Sequence, residues 1–144
     1  MKRIIFTTYD DIDRGELVSQ AQAAVDIDAA ATRMADMAKQ KLIDEYFDRL
    51  VDNKESYAER IGVDFCLYRN SMEDFDLPVE LEFAKVNLYK HHLMAMLAED
   101  YDEVMYVDMD VVFNTDVNVF EEQDLSKGIH VLAKTEDVIS KDKD

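Results

Sequence analysis

Apolar positions along this chain follow two rhythms, and the switches between them mark out its elements. Ile4, Ile5 and Phe6 are consecutive and end in Thr7, Thr8 and Tyr9, the pattern of a strand buried on both faces, with a loop opening at Asp10. From about residue 21 to residue 60 the spacing becomes helical, carried by Met34, Met37, Leu42, Ile43, Tyr46, Phe47 and Leu50, with a break expected near Asp52 and Asn53. Gly62 is placed to stop that helix, and Val63, Phe65, Leu67 and Tyr68 return to a period of two, which predicts a second strand. Pro78 leads into a helix from about residue 81 to residue 98, whose apolar stripe is Phe83, Val86, Leu93, Met94 and Leu97. Val104, Met105, Tyr106 and Val107 predict a third strand, and residues 129–132 a further one after a loop at residues 126–128.

Strand, helix, strand, helix, strand is the order of an α/β domain. Right-handed crossovers would make the first three strands parallel, giving a Rossmann-like, mostly parallel sheet with flanking helices. Ligands bind such sheets where the carboxyl ends of strands diverge, and both Thr7 to Asp10 and Asp108 to Asp110 fall at such ends.

Composition narrows the function classes. A chain of 144 residues with 48% hydrophobic content is one domain's worth of sequence. Its 33 acidic residues against 16 basic ones leave a net charge of −17, which repels a phosphate backbone and excludes nucleic acid as a partner except through a bound cation. Cys66 is the single cysteine, so no intramolecular disulfide forms, and Phe65 and Leu67 beside it predict a buried structural thiol. Lys2 and Arg3 precede only three apolar residues, too few for a signal-peptide core, and no stretch is apolar enough to span a bilayer; a cytoplasmic protein is expected. Residues 140–144 read as a polar tail.

Asp-x-Asp triplets begin at Asp11, Asp26, Asp74, Asp100, Asp108 and Asp142, as such an Asp-rich composition gives by chance, so the triplet alone carries little. Asp108-Met109-Asp110 differs in context. It follows a buried-looking strand and precedes Val111, Val112 and Phe113, which sets two carboxylates between apolar runs where desolvation is costly and a divalent cation would offset the cost. In an extended chain residues i and i+2 share a side, roughly 7 Å apart, so both carboxylates would face one hard cation, Mg²⁺ or Mn²⁺, or its waters. The simpler reading is a solvated strand end.

The stretch from Phe83 to Lys134 resembles the core of glycogenin-like and related GT-A glycosyltransferases: a lysine opening the helix (Lys85), Tyr-Asp-x-Val (residues 101–104), an aromatic-apolar run into Asp-x-Asp (residues 106–110), then a hydrophobic and acidic turn (residues 119–125). It covers a little over a third of the chain. The resemblance implies a metal-dependent glycosyltransferase taking a nucleoside-diphosphate sugar, with UDP favoured, and transferring the sugar to an unassigned glycan, protein or small-molecule acceptor. It implies that Asp110 ligates Mn²⁺ or Mg²⁺, that Asp108 contacts the ribose and the metal, and that Lys85 pairs with donor phosphate. Phe6-Thr7-Thr8 is similar to the family segment that holds base and ribose, with Tyr9 stacking on or packing beside the base. Lys54, Tyr57, Ala58 and Gly62 resemble the Lys-x-x-Tyr-Ala-x-x-x-Gly stretch that precedes the second strand in several GT-A families, where packing is the expected role.

Two features depart from the family. The Ala- and Asp-rich stretch after Asp10 stands where a compact helix is usual, and the acceptor half, with its third metal ligand, would lie beyond Asp144. His91 and His92 precede the metal strand and do not match that ligand. The chain is then a truncated form, a fragment, or a minimal enzyme completed by an oligomer or partner chain. The alternatives are a receiver-type domain phosphorylated at Asp108, with Asp10, Asp11 and Lys134 around it, and a non-catalytic interaction module. A haloacid-dehalogenase-type phosphatase wants Thr where Val112 stands. An EF-hand loop starting at Asn114 fails at Val119 and Leu125.

Overall fold

A computed structural model of the chain describes residues 1–11, 27–72 and 82–131. Among these residues the strands β1 (Arg3–Tyr9), β2 (Asp64–Arg69) and β3 (Glu103–Tyr106) form a parallel sheet in the order β2-β1-β3. Helices α1 (Ile27–Glu45) and α2 (Phe47–Ile61) connect β1 to β2, α3 (Glu82–Leu97) leads into β3, and a short α4 (Val119–Glu122) follows.

The unbroken apolar run of β1 reflects its central place. Ile4 to Tyr9 are all buried, and their side chains sort by parity onto two helical layers. Ile4 and Phe6 pack with Tyr89, Leu93 and Leu97 of α3 on one face. Ile5 meets Tyr57 and Ala58 of α2 on the other, while Tyr9 meets Ile43 of α1 and Met109. The topology accounts for this: β1 to β2 crosses the sheet one way and β2 to β3 the opposite way, and crossovers of one hand then put their helices on opposite faces. The α/β class and the parallel order read from the sequence are thus present. No helix among the described residues is long and apolar enough to cross a membrane.

Several boundaries differ from expectation, each for a physical reason. The helical region breaks at Tyr46 rather than at Asp52 and Asn53. Asn53 stays helical because its side chain is spent on a distant partner, donating to Phe113 O at 2.9 Å and accepting from Phe113 N at 2.8 Å. Gly62 does end α2, at φ 72°, and Val63 is drawn out of the second strand because its N–H caps Ala58 O at 2.9 Å. The expected strand over residues 129–132 does not form over its described part: Ile129 and Val131 lie 86% and 83% exposed, with no strand among the described residues beside them. Cys66 is half-buried at the edge of the α3 layer, because β2 is an outer strand with partly open faces. The expected helix start near Ala21, together with Pro78, Leu132, Lys134 and the tail, lies outside the described residues.

Candidate metal and phosphate site

At the carboxyl end of β3 the chain leaves the sheet. Val107 N still bonds Phe6 O at 3.0 Å, but Asp108-Met109-Asp110 is a turn, closed by Val111 N donating to Asp108 O at 3.0 Å. The extended geometry expected for the triplet is therefore replaced by one in which the middle residue goes in and its neighbours go out. Met109 is 4% exposed, packs with Tyr9 and Ile43, and takes a long contact from the Thr7 hydroxyl at its Sδ. Asp108 and Asp110 are exposed, as are Val111 and Val112, so the expected desolvation of the two carboxylates between apolar runs is not what sets them apart.

What sets this turn apart is how its backbone is held. Lys54 of α2 has no exposed surface, and its ammonium donates to Met109 O at 2.7 Å, to Val111 O at 2.6 Å and to Leu50 O at 3.2 Å. Burial lowers its pKa to about 8, opposed by the Asp110 carboxylate, so it stays protonated at neutral pH. One turn along the same face, Tyr57 donates its hydroxyl to Val117 O at 2.5 Å, accepts from Val119 N at 3.2 Å, and stacks on Phe113 with ring centroids 4.0 Å apart. With Asn53, these side chains stand at i, i+1 and i+4 on one stripe of α2 and fix the loop from Met109 to Val119. The Lys-x-x-Tyr-Ala stretch, read as packing, packs by gripping main chain; its spacing was the available signal, and the partner it grips was not.

The sheet brings the other expected residues to this edge but presents them differently. Tyr106 donates to Asp108 Oδ1 at 2.8 Å, and its pKa is pushed far up, first by burial and then by that bond, against a hydrogen bond from Thr8. Thr7 is fully buried and Thr8 nearly so. Tyr9 is buried against Phe47, its hydroxyl engaged by Asp44 and Gln40, so its ring fills the core rather than facing a base. Lys85 is half-buried on the first turns of α3, and that helix returns from the carboxyl end of β2, which puts Lys85 at the same edge of the sheet as the triplet. Among the described residues it makes no ion pair. The Asp110 carboxylate instead receives Lys39 of α1, at 2.9 Å.

Two exposed carboxylates on a fixed backbone suit a hard cation that draws its remaining ligands from water and phosphate, as Mg²⁺ and Mn²⁺ do. That Asp110 already holds an ammonium shows that it accepts a cation. No cluster of three or more His, Cys, Asp or Glu able to hold a metal occurs among the described residues. A separate cleft of ≈ 670 Å³ opens at the end of β2 between Asp11, Asp44, Phe47, Asp48, Arg49 and Arg69, and excludes both residues. Comparisons with protein-family models, with curated proteins and with solved structures find no match to this chain.

Proposed function

We propose that this chain is the nucleotide-binding half of a metal-dependent glycosyltransferase, taking a nucleoside-diphosphate sugar, with UDP favoured by the sequence resemblance. The observation that carries the reading is the turn Asp108-Met109-Asp110: two outward carboxylates on a backbone pinned by buried Lys54, at the carboxyl end of β3 beside the carboxyl end of β1. In the order β2-β1-β3 the connection from β1 runs to β2 while the one from β2 crosses back over β1 to β3, and ligands of open parallel sheets lodge at the carboxyl ends of strands where the order reverses in this way.

In this reading Asp108 and Asp110 would hold Mn²⁺ or Mg²⁺, which would supply Lewis-acid stabilisation of negative charge on a diphosphate leaving group. The protein's own part is positional. Tyr106 orients Asp108 through its hydroxyl, and Met109 anchors the turn in the core so that neither carboxylate has to be ordered when the ligand arrives. The receiver-domain alternative would gather Asp10 and Asp11 beside Asp108. Asp11 is turned the other way: it bonds Asn70 at 2.9 Å and faces Arg69 at 3.9 Å, both at the end of β2.

Calorimetric titration of UDP and GDP into the chain tests the proposal, with Mn²⁺, with EDTA, and in an Asp110→Ala variant. Binding that needs the metal and disappears in the variant is expected; no binding of either nucleotide with Mn²⁺ present would sink it.

A further inference from the structure

Helix α3 is apolar on two sides. Tyr89, Leu93 and Leu97 point inward and pack with Ile4 and Phe6 of β1. On the outward side Leu88 and Met96 are 44% and 43% exposed, with exposed Ala95 beside them, and neither joins the core among the described residues. One apolar side chain in water needs no reason, but a helix with a second apolar stripe has the pattern of one covered on both sides. The distribution of charge selects the cover. The longest stretch of the chain without Asp or Glu is residues 83–98, nearly the whole of α3. Two chains of net charge −17 repel wherever their carboxylates meet, so a second copy approaches closely only where the surface carries none. On α1, by contrast, exposed Leu42 is followed by exposed Asp44 and Glu45.

We propose that the outward face of α3 is a homodimer interface on which a second copy packs antiparallel, about a two-fold axis at His92. Lys85, Leu88, His92, Met96 and Glu99 recur along this face at steps of three and four, with Glu99 in the turn just past the helix end. A two-fold interface has to complement itself, and this stripe does so when antiparallel. Leu88 meets the partner's Met96, and Lys85 meets the partner's Glu99, because the members of each pair are equidistant from His92. Lys85 and Glu99 form no ion pair among the described residues of their own chain. A parallel pair would instead set lysine against lysine and glutamate against glutamate at these two positions. The inference does not use the reading of Asp108 and Asp110 as metal ligands. A helix of about 24 Å offers a face at the small end of specific interfaces, so the dimer is weak, with a Kd on the order of 10 µM.

Sedimentation of the purified chain over concentrations on both sides of that value tests the interface. The wild-type chain is expected to pass from monomer to dimer, and to do so more readily as added salt screens the repulsion between copies. Leu88→Glu and Met96→Glu each put a carboxylate into the face and are expected to weaken the dimer by about tenfold or more. Leu42→Glu adds the same charge on α1 and is expected to leave it nearly unchanged, with circular dichroism confirming the fold of each variant. Disulfide trapping in a Cys66→Ala background reads the register. His92→Cys, on the axis, is expected to cross-link to its own copy in the partner, whereas Leu88→Cys, opposite Met96, is not. A chain that stays monomeric at every concentration overturns the proposal, as does Leu88→Glu dimerising like the wild type. Leu88→Cys cross-linking as readily as His92→Cys also overturns it, since the two helices would then run parallel.

Discussion

The carboxyl ends of β1 and β3 lie side by side and differ in almost every respect. At the end of β1 the side chains are inside: Thr7, Thr8, Tyr9 and Asp10 are buried, and one Asp10 carboxylate oxygen has no hydrogen-bond partner among the described residues. At the end of β3 the backbone is inside and the carboxylates are out, with Met109 as plug and Lys54 as anchor. One strand end buries its side chains, and the other presents carboxylates to solvent from a buried, anchored backbone.

The strongest way to break the contrast is to release the β3 turn. Lys54→Met keeps the aliphatic stem and removes the ammonium, leaving the buried carbonyl of Met109 and the part-buried one of Val111 without their donor; a loss of about 3 kcal/mol is expected in urea unfolding, with Mn²⁺ affinity falling as the two carboxylates lose their fixed relation. A gentler cut is Tyr57→Phe, which retains the stack on Phe113 but removes the hydroxyl between Val117 O and Val119 N. It should cost about 1–2 kcal/mol and loosen the later loop, read as faster amide exchange at Val119.

The smallest change sharpens the β1 side. Burial, and then the neighbouring Asp11, hold the Asp10 carboxyl above its ordinary 3.8, against a backbone hydrogen bond from Met72. A raised folded pKa means that the folded chain holds this proton more tightly than the unfolded chain. The associated stability is present below pH 3.8 and is lost as pH rises through the folded value. Asp10→Asn cannot ionise and should therefore raise stability at pH 7, with the gain shrinking toward pH 3. Thermal unfolding of both proteins across that range checks the sign; an equal gain at both ends would mean that the unpartnered oxygen, not the charge, was the source.

Much of the framework was legible because period and position are local. The run Ile4-Ile5-Phe6 announced a strand covered on both faces, and Gly62 announced a left-handed cap. Side-chain partners across the fold were not local. Nothing near Asn53 reveals Phe113, so a residue that ordinarily breaks helices was read as breaking this one. The triplet at Asp108 was visible, but its turn geometry depends on a lysine supplied from α2, and the ammonium at Asp110 comes from a helix whose sequence shows only a lysine among many polar neighbours. Residues 129–131 had the composition of a strand and no partner among the described residues to make them one.

The central place of β1 has a consequence for how the chain acquires its fold. This strand is made early, yet its partners begin at Asp64 on one side and Glu103 on the other. Its backbone groups wait through synthesis of everything between, which at roughly 5–20 residues per second is a matter of seconds, and both pairings close long loops. Collapse in this chain is therefore governed by its most distant contacts, and until β3 arrives Ile4, Ile5 and Phe6 are the segment most in need of protection from other chains.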